Sequence, residues 1–270
     1  MNTNSLPFKI IEPKGIKKPF LLSIPHCGTL FPTEIANNYV PSLSKEPDDT
    51  DWFLEILYDF ASEMGITTIQ ALYSRWVIDL NRDPGNTALY NDGRIITNLC
   101  PSTDFLGNSI YMDQKFEPDE KEIRRRKEAY FWPYHHKVHK LIEELKNEFD
   151  QVLFWDAHSI RRNVKTIRKD SFPDLILGDN DYQTANDVFI ELAIKNLGSS
   201  KFNINHNHPF KGGYLTRSIG QPSKSIHALQ LEMSKDLYMS DNETTYNINK
   251  AESVKIILKN TFQKLIDQLS

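Results

Sequence analysis

Residues 20–28 read FLLSIPHCG, and residues 151–159 read QVLFWDAHS. In each stretch a short apolar run, typical of a buried β-strand, is followed at once by a polar segment with a histidine, His26 or His158. In α/β sheets, ligands bind at the carboxyl ends of the strands. The two histidines are therefore expected together at a functional edge of a sheet.

Strand and helix patterns alternate along most of the chain, which predicts an α/β fold. Further strands are expected at residues 67–73, 76–80, 175–177, 201–205 and 225–233, and helices at 51–64, 119–149, 183–197 and 247–268. The helical stretch 119–149 is interpreted as one helix or as two that meet near Pro133. The alternation favours a mixed, mainly parallel sheet with helices on both faces.

The length of 270 residues and the lack of a clear linker predict a single domain over residues 1–270. Residues 83–118 are only weakly periodic. A long segment of this kind inside a compact domain is usually functional, so we expect it to pass over the site or to form a hairpin.

The composition argues against several classes of partner. The formal net charge is -4, and the basic run at residues 124–127 lies in a Glu-rich helical stretch where it is expected to be solvated, so nucleic acid is not an expected partner. No apolar run approaches the ~20 residues that span a bilayer, and residues 1–18 lack a signal-peptide pattern. Two cysteines suit a reducing compartment, so a cytoplasmic protein is expected. The oligomeric state is left open.

A zinc centre is one interpretation of the histidine pair. Two neutral imidazoles and a carboxylate leave one zinc position for water, whose pKa falls to about 7. Asp49 and Asp51 are both candidates for the carboxylate, although an Asp here also suits the N-cap of the next helix. Asp156 is a candidate partner that orients an imidazole. The alternative is two unrelated histidines, each with a local hydrogen bond.

Other histidines offer rival sites. His135 and His139 have the i, i+4 spacing of helical zinc ligands, but no Glu follows His135, so the HExxH pattern is absent. A packed, aromatic-rich helix explains this pair better. His206 and His208 alternate in NHNHP, which a polar loop explains equally well.

Three further polar residues stand in apolar surroundings. Residues 74–82 read SRWVIDLNR. Arg82 is suited to hold a carboxylate, with help from Asn81, and Arg75 is suited to stabilise an oxyanion. A surface ion pair is the alternative for both arginines. Glu232 lies inside the run LQLEM, where a buried carboxylate needs a partner or a nearby metal and would suit a general base. The alternative is a solvated strand face shared with Gln230.

Together these segments resemble the N-formylglutamate amidohydrolase family. The matching stretches are SIPHCGTLFP, DTDWFLEILYDFA, SRWVIDLNRDPGN, DAHSI, GGYLTR and ALQLEMSKDLYM, which follow one another over residues 23–239. The family is similar to zinc carboxypeptidases and aspartoacylases, so the resemblance implies a zinc-exopeptidase-like (phosphorylase/hydrolase-like) α/β fold.

The resemblance also implies a site and a reaction. The expected roles are metal ligation by His26, Asp51 (with Asp49 in reserve) and His158, general-base catalysis by Glu232, polarisation of the scissile carbonyl by Arg75, and binding of substrate carboxylates by Asn81, Arg82 and Arg217. The implied reaction is zinc-dependent hydrolysis of N-formyl-L-glutamate to formate and L-glutamate, a step of histidine degradation; other divalent metals also suit these ligands.

One position departs from the carboxypeptidase pattern. Those enzymes place an acidic ligand three residues after the first histidine, where this chain has Thr29. The acid is therefore sought at Asp49 or Asp51.

Two alternatives to this function remain. One is hydrolysis of another N-acyl amino acid or small peptide, and the other is a non-catalytic binding protein on the same scaffold.

Overall fold

A computed structural model describes residues 6–85, 87, 98–198 and 201–269. Its strands are β1 Phe8–Ile11, β2 Phe20–Ile24, β3 Thr67–Ala71, β4 Val152–Ile160, β5 Leu175–Gly178, β6 Ile204–His206 and β7 Ile226–Ser234. They form one seven-stranded sheet in the order β1-β3-β2-β4-β7-β5-β6. Four of the six neighbouring pairs are parallel, so the predicted mixed and mainly parallel sheet is confirmed.

Helices cover both faces of this sheet, as predicted. The helices of the described chain are α1 Thr33–Ala36, α2 Pro41–Ser44, α3 Leu54–Leu57, α4 Glu120–Arg126, α5 Trp132–Glu148, α6 Asp187–Gly198, α7 Tyr214–Ile219 and α8 Ile248–Leu269. Helices α3, α6 and α8 pack on one face, and α5 and α7 on the other. In the described part of the chain, no helix is long and apolar enough to span a membrane.

Central strand β4 shows why the sequence folds this way. All nine of its residues are buried, because a central strand covered on both faces is not exposed to water on either. Phe154 packs against α5 and α7, and Trp155 packs against α8 with its ring 5.0 Å from that of Phe262. Since side chains alternate along a strand, Asp156 and His158 lie on the same face as Phe154.

Strand β4 is longer than the apolar run predicts. It pairs with β7 in parallel register from Val152 to Ile160, so His158 lies within the strand and not in a loop after it. His158 is opposite Glu232, and Asp156 is opposite Gln230. The pairing places four polar side chains on one face near the carboxyl ends of two central strands.

The prediction of a strand at residues 76–80 is wrong. The segment forms turns in which the backbone N–H groups of Trp76 and Val77 bond to the hydroxyl and carbonyl oxygens of Ser74, respectively. The carboxylate of Asp79 accepts a hydrogen bond from the backbone N–H of Asn81. These local acceptors replace a neighbouring strand, an alternative that Ser and Asp side chains often provide.

The helix predicted at residues 51–64 is shorter and has no aspartate cap. An α-helical turn begins at Leu54, and residues Asp59–Met64 form a 3₁₀ helix that ends at Gly65, as expected. Phe53, with φ 65°, is the N-cap, and no side chain caps the helix. The side chain of Asp51 instead points to a histidine, so a capping role for this aspartate is wrong.

The helical stretch 119–149 is continuous. A π-helical turn over Lys127–Phe131 joins α4 to α5 and ends two residues before Pro133, whose missing N–H breaks the regular hydrogen-bond pattern. The basic run is only partly solvated, contrary to expectation. Arg126 is buried and donates hydrogen bonds to Tyr39, Tyr111 and the carbonyl of Val77.

The long segment at residues 83–118 is described except at residues 86 and 88–97. The predictions for the omitted residues lie outside the described chain. In the described part, Thr103 and Ser109 are bridged in antiparallel register, which forms the tip of a short hairpin.

His135 belongs to the packed helix and not to a metal site. Its Nε2 bonds to the carbonyl of Leu80 at 2.9 Å, and its ring stacks on Phe131 at 4.0 Å. Burial lowers the pKa of His135 to about 4. His139 is exposed, so the helical pair does not converge on a ligand.

The buried ring of His135 is expected to make stability depend on pH. Its pKa of about 4 lies below the ~6.5 of an unfolded chain, so the stability from the neutral ring is present above pH ~6.5 and is lost toward pH 4. His135→Gln keeps a donor for Leu80. Between pH 7 and pH 5, this variant should lose about 2 kcal/mol less unfolding free energy than the wild type. Equal losses in urea titrations would contradict this.

Candidate metal centre and active site

His26 follows the end of β2 and is fixed by a buried carboxylate. Its Nε2 lies 2.8 Å from Oδ1 of Asp79, a hydrogen-bond distance. Its Nδ1 points the other way and is 3.7 Å from Oδ2 of Asp51. The contact with Asp79 favours the tautomer with the proton on Nε2, which leaves the Nδ1 lone pair available to a cation.

His158 has the same arrangement. Its Nε2 lies 3.1 Å from Oδ2 of Asp156, and its Nδ1 lies 3.1 Å from Oδ2 of Asp51. Both imidazoles thus have a carboxylate at Nε2 and face Asp51 with Nδ1. This is the arrangement in which outer carboxylates orient metal-binding histidines.

His26, Asp51 and His158 form a buried group with the donor set of a metal centre. One potential ligand atom from each residue lies within 4.8 Å of the others. Within the described chain, Nδ1 of His26 and Oδ1 of Asp51 are buried and have no hydrogen-bond partner. Orphaned buried polar atoms are costly. A divalent cation would satisfy both atoms, so these residues fit a metal ion.

Asp49 is directed away from this group. Its Oδ2 accepts a hydrogen bond from Nε1 of Trp76, and its Oδ1 accepts one from the backbone N–H of Phe105, both at 2.9 Å. Burial raises its pKa to about 6, against the opposing effects of Arg75 and these hydrogen bonds. Between the two candidate acids, the geometry favours Asp51 as the ligand.

The surroundings of the two histidines shift their pKa values in opposite directions. Burial and the charge of Arg75 lower the pKa of His26, although Asp79 opposes them. Burial also disfavours protonation of His158, but the carboxylates of Asp156 and Asp51 outweigh it and hold its pKa well above the ordinary value. A cation at this site therefore competes with a proton on His158.

Asp79 joins His26 to Arg75. Its Oδ2 accepts a 2.6 Å hydrogen bond from Nη2 of Arg75, while its Oδ1 faces His26. Burial opposes ionisation of Asp79, but the charges of Arg75 and His26 outweigh it and place its pKa well below the ordinary range. Arg75 is buried, so the sequence alternative of a surface ion pair is wrong for this residue.

Asn81 lies behind His158. Its Nδ2 is 3.2 Å from Oδ2 of Asp156 and 2.8 Å from Nε2 of His158, and its Oδ1 accepts a hydrogen bond from the backbone N–H of Leu215. A Cβ on Gly213 would lie 2.3 Å from Nδ2 of Asn81, so the glycine permits this close contact. The amide is thus surrounded by protein groups.

Arg82 and Arg217 occupy half-buried positions. Nε of Arg82 is 3.6 Å from Oδ2 of Asp79, which places this side chain beside the Arg75 pair. Arg217 is on α7, and its Nε donates to the carbonyl of Gly212 at 2.8 Å. Both retain partial solvent access, as a group that binds a substrate carboxylate requires.

Glu232 lies on β7 opposite His158 and keeps partial solvent access. Without a cation, burial raises its pKa to about 8; Asp51 and Asp156 add to the rise, and His158 and Arg75 oppose it. The alternative of a solvated strand face is wrong, because Gln230 is buried and accepts a 2.7 Å hydrogen bond from the backbone N–H of Gly213.

The rival pair at residues 206 and 208 separates in the structure. Nε2 of His206 contacts Oδ2 of the buried Asp179 at 2.5 Å, whereas His208 is exposed. Asp179 also accepts hydrogen bonds from the backbone N–H of Tyr182 and the side chain of Asn207. His206 is therefore the last residue of β6 and is paired with Asp179, whereas His208 lies in the polar segment that follows the strand.

Comparison with known proteins identifies the family of this chain. The model of the N-formylglutamate amidohydrolase family matches residues 18–239. The chain belongs to this family. The matched residues include all six of the stretches that suggested the resemblance.

Relatives of this amidohydrolase family align along nearly the whole chain. An N-formylglutamate deformylase of Pseudomonas putida is 34% identical over 251 residues, 92% of each chain. One of Pseudomonas aeruginosa is 33% identical over 261 residues, 96% of each. A crystal structure of N-formylglutamate amidohydrolase from Ralstonia eutropha JMP134 has a TM-score of 0.82 at 24% identity, covers 98% of both chains and shows a shared fold.

Two residues at the site of this family member were missed by sequence reasoning. Asp79 is a charge inside the apolar run WVIDL, the same signal that drew attention to Glu232. Lys235 is buried and donates a 2.8 Å hydrogen bond to the carbonyl of Asp48; burial lowers its pKa, although neighbouring aspartates oppose the shift. No pattern around Lys235 distinguishes it from a surface lysine.

The two candidate acids can be separated by metal binding. Asp51→Asn should lower zinc affinity by more than about 100-fold, beyond the usual effect of a residue that only contacts a ligand. Asp49→Asn keeps a side chain of the same size and should retain wild-type affinity within about tenfold. Competition with a chromophoric chelator measures both. A larger loss in Asp49→Asn than in Asp51→Asn would reverse the assignment.

Proposed function

We propose that this family member is a metal-dependent N-formylglutamate deformylase. The reaction is hydrolysis of N-formyl-L-glutamate to formate and L-glutamate. The observation that carries the proposal is the buried group of His26, Asp51 and His158, with Glu232 opposite His158 on the neighbouring strand. The substrate is inferred from the deformylases that align with more than nine-tenths of the chain.

His26 and His158 would hold the cation through Nδ1, and Asp51 would hold it through its carboxylate. Two nitrogens and one oxygen with a position left open are the donor set of a catalytic zinc centre, and cobalt, iron or manganese suit similar ligands. When bound, the cation supplies Lewis-acid activation of a water and of the formyl oxygen. Asp79 and Asp156 keep the two rings oriented toward this position.

Glu232 transfers the proton. Its carboxylate accepts a proton from the attacking water, whose oxygen forms a bond to the formyl carbon. The same proton then passes to the amine nitrogen as the C–N bond breaks, which gives formic acid and the amine of glutamate. The remaining acid proton moves to this amine, so the products are formate and glutamate. The pKa of about 8 applies without a cation; a positive charge nearby lowers it toward the range of a base at neutral pH.

Arg75 stabilises the oxyanion that forms at the formyl oxygen. Its guanidinium is buried and already anchored by Asp79, so little reorganisation is needed during the reaction. Arg82 and Arg217 bind the glutamate carboxylates. The contacts of Asn81 favour a supporting role behind His158 and Asp156 over direct binding of substrate.

We also propose the partner, the pathway and the compartment of the reaction. The partner is a small substrate that carries carboxylates, and the reaction belongs to histidine degradation in the cytoplasm. These assignments follow from the proposed substrate and from the sequence composition.

Removal of the general base should separate chemistry from metal binding. Glu232→Gln keeps the shape of the side chain but is unable to accept the proton. We expect kcat for N-formyl-L-glutamate to fall by about 10²- to 10⁴-fold, with zinc content unchanged. Formate release measures turnover, and elemental analysis measures zinc.

The control is Glu191→Gln, which changes a glutamate on α6 away from the site and should leave kcat unchanged. Wild-type turnover in Glu232→Gln would remove this residue from the mechanism. A panel of N-formyl and N-acetyl amino acids tests the substrate: preference for another member of the panel would replace N-formylglutamate.

Loss of the carboxylate behind His26 should weaken metal binding. Asp79→Asn keeps the side-chain size but loses the negative charge that orients the imidazole. We expect zinc affinity to fall about 10- to 100-fold. Asp83→Asn changes an aspartate of the same segment, whose Oδ1 accepts a hydrogen bond from the backbone N–H of Gly85, and serves as the control. Equal affinities for the wild type and Asp79→Asn would show that this carboxylate does not support the metal.

A further inference from the structure

The hairpin tip around Phe105 is held by a network of its own. Oδ1 of Asp104 accepts hydrogen bonds from the backbone N–H groups of Leu106 and Asn108, at 2.9 and 2.8 Å. Its Oδ2 accepts a third from the side chain of Asn108 at 2.8 Å. Gly107, with φ 89°, completes the turn. This network fixes the backbone of the segment from which Phe105 projects.

Two other loops bind the backbone of Phe105. Its N–H donates to Oδ1 of Asp49 at 2.9 Å, in the segment before α3. Its carbonyl accepts a hydrogen bond from the hydroxyl of Thr166, in the segment after β4. Both polar groups of this residue are thus satisfied by side chains from distant parts of the sequence. Three loops therefore meet at Phe105.

The ring of Phe105 covers the guanidinium of Arg75. The central guanidinium carbon lies 4.8 Å from the ring centroid, within the range of a cation–π contact. The edges of the guanidinium are held separately, by Oδ2 of Asp79 at 2.6 Å and by the carbonyl of Asp49 at 3.5 Å. Asp49 therefore contacts both partners of the cation–π pair, Phe105 through its side chain and Arg75 through its carbonyl.

The same ring belongs to an apolar group beside the general base. Phe105 packs against a cluster formed by Ile160, Val164, Phe172 and Ile176. Ile176 is the strand neighbour of Glu232 on the side away from His158. Phe105 thus lies between the arginine of the site and the apolar wall next to Glu232.

We propose that Phe105 is a positioning residue, which holds the guanidinium of Arg75 in the orientation that stabilises the oxyanion. Donors for an oxyanion are effective only when fixed in advance. The inference rests on the proposed function. Because Arg75 acts on charge that develops in the transition state, loss of the ring affects kcat and leaves KM and metal affinity unchanged.

The test compares Phe105→Leu with Phe105→Tyr in the zinc-loaded protein, with N-formyl-L-glutamate as substrate. The leucine variant keeps apolar volume but removes the ring, so kcat falls about 10- to 30-fold. The tyrosine variant keeps the ring and retains kcat within about threefold. KM and zinc affinity stay at wild-type values in both. Leu106→Ala, at the exposed neighbouring position, is the matched control and leaves kcat unchanged.

A double-mutant cycle assigns the effect to Arg75. In an Arg75→Ala background, Phe105→Leu should change kcat by no more than about twofold, because the group that the ring positions is absent. The same loss in both backgrounds overturns the proposal, as does wild-type kcat in Phe105→Leu. Should the leucine variant not fold, Thr166→Val releases the carbonyl of Phe105 and keeps the ring; unchanged kcat there overturns the proposal.

A different result would refute the proposed function. A zinc-loaded wild type that releases no formate from N-formyl-L-glutamate refutes the deformylase assignment itself, before any variant is compared. An active wild type whose leucine variant is equally active refutes the role of Phe105 alone.

Discussion

The site depends on one interaction made twice, the contact between a buried imidazole and a buried carboxylate. Asp79 holds Nε2 of His26, and Asp156 holds Nε2 of His158, so both rings present Nδ1 to Asp51. Carboxylates inside a protein are costly unless they are paired, and each of these is paired with a ring that it orients. The direction of the two Nδ1 atoms, and with it the capacity to bind a cation, follows from these pairs.

The fold supports these pairs through the two central strands. Strands β4 and β7 are covered on both sides, so Asp156 and His158 are held by the same packing that buries Phe154. Asp79 instead belongs to a turn, where it also fixes Arg75. One side of the metal group is thus built on the sheet and the other on a loop network, and Asp51 lies between them.

Much of the fold followed from the sequence because apolar runs and helical spacing are local signals. The strand prediction at residues 76–80 was wrong. The apolar pattern of this segment is that of a strand, but the side chains of Ser74 and Asp79 accept hydrogen bonds from nearby backbone N–H groups. At the site, the structure places the two predicted histidines together with Asp51. The sequence left the choice between Asp49 and Asp51 open, because that choice depends on which side chain Trp76 contacts. That contact joins residues distant in sequence, and no local pattern encodes it.

The measurement that tests this account most directly is a crystal structure of the zinc-loaded protein, with anomalous scattering recorded at the zinc edge. We predict one anomalous peak about 2.0 to 2.2 Å from Nδ1 of His26, Nδ1 of His158 and a carboxylate oxygen of Asp51, with Asp79 and Asp156 still hydrogen-bonded to the two rings. A peak on Nε2 of either histidine, on Asp49, or at another site in the protein would contradict it.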